Sequence, residues 1–430
     1  MEVIKKAVVF VLTWEARAVL WRYRPQIVAI TGSVGKTSAK DAVYAALSPE
    51  LHVRKSEKSL NSDVGVPLTI LGCETGWKDP WKWLMNIVRG LLLVIYSSNY
   101  PRWLILEVGA DRPGDIVKIA HWLRPDIVII TSIPETPAHV EYFDSLDAVV
   151  REKRSLAEHL KPGGSLILNF DEERVRGFRQ EFRGVALTYG LSDTSDFSAS
   201  NEEISYEDGM PTGMRFRINR SGSSVPIVVR GALGIARVYA ALAACAAAEA
   251  VGIDLVSAAK GLSDYAPTPG RMRLIPGHNG SLVIDDTYNS SPHAAFAALE
   301  TLGDIQKTGR KIAVFGDMLE LGRFSADAHR KVGERASRIA DRLLVVGLRA
   351  RGTAEGAQAA GMKEQNIIQY EMGESAHAGS QLAKELKKGD IVLVKGSQGI
   401  RMEKAVKELM AEPARAKEFL CRQDAEWEKR

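Results

Sequence analysis

The chain alternates short apolar runs with longer stretches whose apolar positions recur at helical spacing. "QIVAI" (26–30), "RWLILEVGA" (102–110), "PDIVIITSI" (125–133) and "GSLILNFD" (164–171) read as buried strands. Between them lie "KTSAKDAVYAAL", where Ala42, Ala45 and Leu47 give approximate helical spacing, and "SLDAVVREKRSLAEHL" (145–160), also helical in pattern. Strand and helix in alternation predict an α/β fold with a doubly wound, mostly parallel sheet. Residues 187–230 break the rhythm: serine, charge and the short alternating pieces "MRFRI" and "VPIVV" predict a small antiparallel subsheet appended to the main one. "GIARVYAALAACAAAEAVGI" (234–253) reads as a closely packed, alanine-rich helix. "SDYAPTPGR" (263–271), with two prolines and a glycine, is the best linker candidate. Beyond it "SLVIDDT", "KIAVFGD", "RLLVVGL" and "DIVLVKGS" restart the alternation and predict a second, Rossmann-like α/β domain. The expected organisation is a helical segment over 1–25, a central domain over 26–268 and a C-terminal domain over 269–430. The tail "FLCRQDAEWEKR" is expected to be a solvated end.

Composition narrows the class. A chain of 430 residues holds two or three domains, and 45% hydrophobic with 26% charged residues supports a large core. A net charge of +4 is too weak to argue for a nucleic-acid partner. Cys73, Cys245 and Cys421 lie far apart, which fits a reducing compartment and argues against disulfides or a thiolate zinc site. No segment reaches the ~18–20 continuous apolar residues of a membrane span. "VIKKAVVFVLTWEARAVLWRYRP" mimics a signal peptide, but Glu15 and Arg17 interrupt it and a phosphate loop follows at once. "WLMNIVRGLLLVIYSSNYPRWL" is broken by Arg89 and Pro101. Six of the eight tryptophans fall in the first 103 residues, several beside lysine or arginine. Packing within one domain is the plainer explanation, and peripheral contact with the inner membrane face is the other. The expected location is the cytoplasm.

Chemistry concentrates at strand ends. In "TGSVGKTS" successive backbone N–H groups, from Gly32, Ser33, Val34 and Gly35 through Ser38, can wrap phosphate oxygens where a helix dipole favours negative charge. Lys36 would reach the terminal phosphates and the Thr37 hydroxyl would ligate magnesium. A strict P-loop would carry glycine where Ile30 stands. Glu107 ends a strand at the carboxyl edge, where open α/β sheets bind ligands; a metal anchor and a surface charge are both open readings. His139, in "ETPAHVEYF", is a lone loop histidine, and such residues are more often structural than ligands. Lys153 lies in a charged helix, where lysine is ordinarily solvated. In "VIDDTYNSSP" (283–292) two acids and a polar loop suit ribose hydroxyls or a metal. "DIVLVKGSQGIRMEKAV" adds a glycine-rich turn with Ser397 as a helix cap and Lys395 nearby.

The ordered set "TGSVGKTS", "LNSDVGVPLTIL", "LEVGADRPGDI", "AHVEYFDSLDAVVREK", "PGRMRLI", "IDDTYNSSP", "FGDMLELG" and "VLVKGSQGIRME" resembles the Mur ligase family from about residue 26 to about residue 410. "GVPLTIL", "FGDMLELG" and "VKGSQGIRME" look like its D-alanyl-D-alanine-adding branch. The family's loop is similar to T-G-x-x-G-K-[ST], which puts Ile30 in the strand. The resemblance implies an ATP-dependent ligase of peptidoglycan precursor synthesis. It would join D-alanyl-D-alanine to a UDP-N-acetylmuramoyl-tripeptide-like acceptor through an acyl phosphate, as a monomer acting on small molecules. It also implies that Glu107 and His139 match magnesium ligands, with Thr37 completing the site. Lys153 matches a lysine carried as a carbamate, which can help hold a second magnesium. Arg271 and Asp286 match ATP contacts from the C-terminal domain, Asp286 through ribose. Asn61, Asn289 and Ser397 fall in the shared motifs and are expected on the substrate side.

Two features depart from the family. Related ligases place a domain that holds the substrate's uridine nucleotide before the loop. Here about twenty-five residues stand there, enough for one helix and not for a domain. The family's pattern G-x-H-N-x-x-N-A is replaced by "GIARVYAA", with Ala236, Arg237 and Ala240 at the histidine and the two asparagines. Alanine reads no base edge and arginine has no acceptor, so core packing is the preferred reading of that stretch. Two rivals remain open: a ligase of this architecture acting on another carboxylate, lipid-linked or folate-type, and a nucleotide-binding scaffold without catalysis. Retention of Lys36, Thr37, Glu107, His139 and Lys153 argues against the scaffold.

Overall fold

A computed structural model describes residues 2–57, 59–96, 98–135, 140–265, 267–306 and 308–428. Nine strands make the first sheet: β1 (Gln26–Thr31), β2 (Val53–Lys55), β3 (Trp103–Glu107), β4 (Ile127–Ile130), β5 (Ser165–Asn169), β6 (Val185–Gly190), β7 (Phe197–Glu207), β8 (Met210–Arg220) and β9 (Ser223–Arg230). Their order is β2-β3-β1-β4-β5-β6-β7-β8-β9. β1 therefore lies between β3 and β4, and the chain leaves it toward both sides. That is the topological switch point where a crevice opens at the strands' carboxyl ends.

Strand residues alternate between two cores, as a strand buried on both faces requires. Val28, Ile30, Ile105 and Ile129 join the core under helix α2 (Lys36–Leu47) and the helix Ile235–Ala250. Ile27, Ala29, Leu104 and Val128 join the opposite core. The helices α1 (Glu2–Tyr23), α3 (Gly65–Leu71), α5 (Asp115–Leu123) and α6 (Leu146–Glu158) cover that side, and α4 (Pro80–Ile95) packs on α1. The alanines of Ile235–Ala250 carry little volume, which lets that helix approach α2 closely.

The antiparallel part, β7 to β9, is appended to the main sheet as expected, and it joins by direct continuation, because β7 pairs in parallel with β6 at Tyr189↔Phe197 and Gly190↔Ser198. The chain then turns back twice, at Asp208–Gly209 (φ 50° and 78°) and Ser221–Gly222 (φ 47° and 82°). Positive φ at both central residues is the geometry of tight hairpins, and "DG" and "SG" supply it cheaply.

The second sheet comprises β10 (Arg273–Pro276), β11 (Leu282–Asp286), β12 (Lys311–Gly316), β13 (Arg342–Val346), β14 (Ile367–Tyr370) and β15 (Ile391–Lys395), in the order β10-β11-β15-β12-β13-β14. All pair in parallel except β10 with β11.

The C-terminal tail overturns the expectation of a solvated end. Leu420 is buried, and Arg422 donates to the carbonyls of Thr287 (3.1 Å) and Tyr288 and pairs with Glu403 at 2.8 Å. Arg401 also pairs with Glu403, which is wholly buried. A buried carboxylate needs cationic partners, and one of the two comes from the tail. Among the described residues no helix is long and apolar enough to cross a membrane.

Candidate active site

The loop after β1 is shaped by two glycines and by β4. Gly32 sits at φ +140°, and a Cβ there would lie 2.0 Å from Thr131 Oγ1. Gly35, at φ +89°, opens α2 in the left-handed region that glycine favours. Ser33 and Val34 donate their N–H groups to the Ser132 carbonyl at 2.7 and 3.2 Å. Thr131 Oγ1 donates to the carbonyl of Val34 at 2.7 Å. The first turn of α2 carries no acid, so its dipole is left to an anion. Lys36 Nζ donates to the carbonyls of Gly32 (2.9 Å) and Ser33 (3.3 Å), which holds the ammonium inside the loop. Burial pushes its pKa down, against the opposing pull of Glu107.

Glu107 ends β3 beside the loop and is 1% exposed, which removes the surface-charge reading. Thr37 Oγ1 donates to its Oε2 at 2.9 Å, and Asn61 Nδ2 donates to its Oε1 at 2.9 Å. Ser59 Oγ lies 3.3 Å from Thr37 Oγ1. Lys153, on α6, is not solvated but buried. Burial, reinforced by the charge of Lys36, pushes its pKa down to about 7. The neighbouring Glu152 accepts from the N–H groups of Gly114 (2.8 Å) and Ile116 (2.6 Å), at the start of α5. His139 lies outside the described residues.

The second sheet brings its own groups. Arg271 donates to Thr37 Oγ1 at 3.4 Å and lies over the Tyr288 ring at 4.2 Å. Its buried Nε finds no hydrogen-bond partner among the described residues. Asp286, ending β11, accepts from Lys395 Nζ at 2.5 Å and from the Met272 N–H at 3.2 Å. Lys395 also donates to the Asn289 carbonyl at 3.1 Å. Ser397 makes no side-chain helix cap. It is buried, accepts from the Leu319 N–H at 2.9 Å and donates to the Ser290 carbonyl at 3.3 Å, tying three loops together.

Arg237 does more than fill core. Its buried guanidinium donates to the Arg271 carbonyl and, at 3.4 Å, to Tyr265 Oη. Tyr265 Oη meets Thr268 Oγ1 at 2.9 Å, and Thr268 donates to Asp41 on α2 at 2.8 Å. The proline-rich linker is thereby fastened to the phosphate-loop helix. No spacing in the sequence foretells this contact.

Lys36, Thr37, Asn61, Glu107 and Arg271 thus form one cluster at the switch point. Next to it opens a cleft of about 980 Å³, lined by Gly35, Ala236, Ala240, Arg271, Asp286 and Lys395 among others. An unpartnered cationic N–H, a loop with no room for a Cβ and a set of hard oxygen donors fit a nucleoside triphosphate with a magnesium ion.

Comparison with known proteins agrees with this geometry. The family profile described as Mur ligase middle domain matches residues 90–248, and that described as Mur ligase, glutamate ligase domain matches residues 270–398. The UDP-N-acetylmuramoyl-tripeptide–D-alanyl-D-alanine ligase of Bacillus subtilis is 29% identical over 400 residues, covering 93% of this chain and 79% of its own. The Escherichia coli ligase of the same name is 29% identical over 398 residues, covering 89% and 76%. Among solved structures, the MurF ligase from Thermotoga maritima in complex with ADP superposes with a TM-score of 0.76 at 25% identity, covering 93% of this chain and 83% of that one. Through both its middle and its C-terminal domain, the chain belongs to the Mur ligase family.

Proposed function

We propose that this protein is an ATP-dependent amide-bond ligase. It would join D-alanyl-D-alanine to a UDP-N-acetylmuramoyl-tripeptide-like acceptor in peptidoglycan precursor synthesis. The observation that carries the reading is the meeting of Thr37, Asn61 and Glu107 with Arg271, from the other sheet, at one phosphate loop. Relatives named for that activity align with about nine-tenths of the chain, which supports the acceptor class.

A carboxylate does not condense with an amine in water, because its oxygen is a poor leaving group. Transfer of the γ-phosphoryl group to the acceptor's carboxylate gives an acyl phosphate. The dipeptide's amine attacks that carbonyl, and the tetrahedral intermediate expels inorganic phosphate. Phosphoryl transfer needs positioning and charge neutralisation above all. The loop N–H groups at the start of α2, from Gly35 to Ser38, and Lys36 bind the phosphates, and Arg271 brings a second cation. Thr37, Glu107, His139 and a carbamylated Lys153 would hold magnesium, which when bound neutralises charge on the phosphoryl oxygens. A carbamate forms from a neutral amine and carbon dioxide with release of a proton, and a pKa near 7 leaves that amine available.

Asp286, oriented by Lys395, takes the ribose hydroxyls. Ala236 and Ala240 offer the base only methyl groups, so that wall holds it by apolar contact. Residues 26–268 form the ATP-binding unit behind the short helix 1–25, and 269–430 form the closing ligase unit. Asn61 and Asn289 serve the substrate side, and Ser397 serves it through the loops it ties. The enzyme works as a cytoplasmic monomer that touches the inner membrane face.

The test supplies purified protein with ATP, magnesium, UDP-N-acetylmuramoyl-tripeptide and D-alanyl-D-alanine, and follows phosphate and peptide product together. Both are expected, in equal amounts. Phosphate without amide, or neither, overturns the proposal. Arg271→Ala is expected to lower kcat on the order of a hundredfold with folding intact.

A further inference from the structure

Helices α1 and α4 each carry an apolar row on the outer face in addition to the one turned to the core. On α4, Trp81, Leu84, Met85, Val88, Leu92 and Ile95 recur at helical spacing, and all are exposed, Trp81 by 74% and Ile95 by 62%. On α1, Phe10, Trp14 and Trp21 do the same at 73%, 54% and 77%. The inward face of α1 is apolar, with Leu12, Ala16 and Val19 buried around Glu15, whereas the buried residues of α4 are Asn86 and Gly90, flanked by the half-buried Trp83, Ile87, Leu93 and Val94. The two helices lie side by side and run the same way. A Cβ on Gly90 would meet Glu15, and Tyr23 Oη donates to the carbonyls of Leu93 and Tyr96, both at 3.0 Å. Exposed apolar rows of this extent mark a contact surface rather than chance.

Charge selects the partner. Arg17, Arg22, Arg24, Lys78, Lys82 and Arg89 are all exposed along these segments. The acids of residues 6–24 and 78–96 are only Glu15, which is buried, and Asp79, which caps α4 by accepting from the N–H groups of Trp81 and Lys82. The whole chain is nearly balanced, with 57 basic and 53 acidic residues, so this excess is local. A second copy docked on the same face would bring the two sets of cations together, which like charges oppose. An anionic lipid leaflet accepts both features: indole and aliphatic groups enter the acyl boundary while cations meet the headgroup phosphates.

We infer that the α1–α4 face is a peripheral binding surface for an anionic lipid leaflet. The inference names the residues and the lipid charge behind the membrane contact in the functional reading. It stands whether or not the ligase assay succeeds.

The test incubates the full chain with phosphatidylcholine vesicles, with and without phosphatidylglycerol, and measures cosedimentation. Binding is expected only with phosphatidylglycerol and is expected to weaken as salt rises. At about fivefold in partitioning per charge, Lys82→Gln with Arg89→Gln is expected to weaken it roughly 25-fold. Trp81→Ser with Leu84→Ser is expected to abolish it, with thermal melts confirming that both variants fold. In the unaltered protein, indole fluorescence is expected to be quenched by a lipid-borne quencher. Protein left in the supernatant with phosphatidylglycerol, or equal binding to both vesicle types, overturns the inference. So does a dimer in light scattering that Trp81→Ser with Leu84→Ser converts to monomer.

Discussion

Lys153 is a residue whose surroundings change what its chemistry can be. In water a lysine is a cation at any physiological pH. Buried and facing the positive charge of Lys36, this one is held near neutrality. If it works as a carbamate, Lys153→Ala removes an oxygen donor rather than a charge that binds ATP. Ligase turnover is then expected to fall about a hundredfold or more, and millimolar short-chain carboxylic acids are expected to restore part of it. An unchanged rate, or no rescue, would make Lys153 only a packed lysine. Glu107 and Thr37 teach the same lesson about reading sequence. "GKT" after a strand is a local pattern and could be recognised in the chain itself. The 2.9 Å bond between Thr37 and Glu107 joins positions 70 residues apart, and only the pairing of β1 with β3 brings it about.

At the scale of elements, the pairing of α1 with α4 stores a carboxyl in an apolar place. Neither oxygen of Glu15 has a hydrogen-bond partner among the described residues, and burial raises its pKa from an ordinary 4.5 to about 7. Between these values the folded chain keeps a proton that the unfolded chain has released. This group's contribution to stability is therefore greatest below pH 4.5, declines through about 7 and stays low above it. Denaturant titrations of Glu15→Gln against the parent are expected to show a difference in stability that grows across that window in the variant's favour. A constant difference would mean that Glu15 does not titrate there. Gly90→Leu is expected to force the helices apart and destabilise the protein by several kcal/mol in the same titration, because even a Cβ would lie 2.1 Å from Glu15 Oε2. Most strands of both sheets were legible as apolar runs. The short edge strands β2, β10 and β14 were not, because they are only partly buried and lack the unbroken apolar run that marks the equally short, buried β4. The direction of α4 was hidden for another reason. Helical spacing locates an apolar face but does not say whether that face turns inward.

At the scale of the whole molecule, the two sheets are joined by more than the linker. Arg237 fastens the linker to the body of the first sheet, Arg271 reaches Thr37 of the phosphate loop, and within the C-terminal half the tail crosses back to the loop after β11. The tail misled because "CRQDAEWEKR" is polar and charged, as disordered ends are. Its Arg422 is spent on Glu403, a group elsewhere in the chain whose ion-pair partners among the described residues are Arg401 and Arg422. Ending the chain after Leu420 is expected to leave Glu403 half-paired in the core and to lower stability by about 3 kcal/mol in thermal or denaturant unfolding. Arg422→Lys is expected to recover less than half of that, since a single ammonium cannot span Glu403 and two carbonyls at once. The far end of the tail holds a further consequence. Trp427 meets Trp77 edge-on, with ring centroids 5.8 Å apart and planes at 86°, and the two indoles belong to opposite halves of the molecule. Indoles this near couple their electronic transitions, so the protein carries a native optical gauge. Any nucleotide-driven rotation of one half against the other would register as a change in circular dichroism, without a dye or a label.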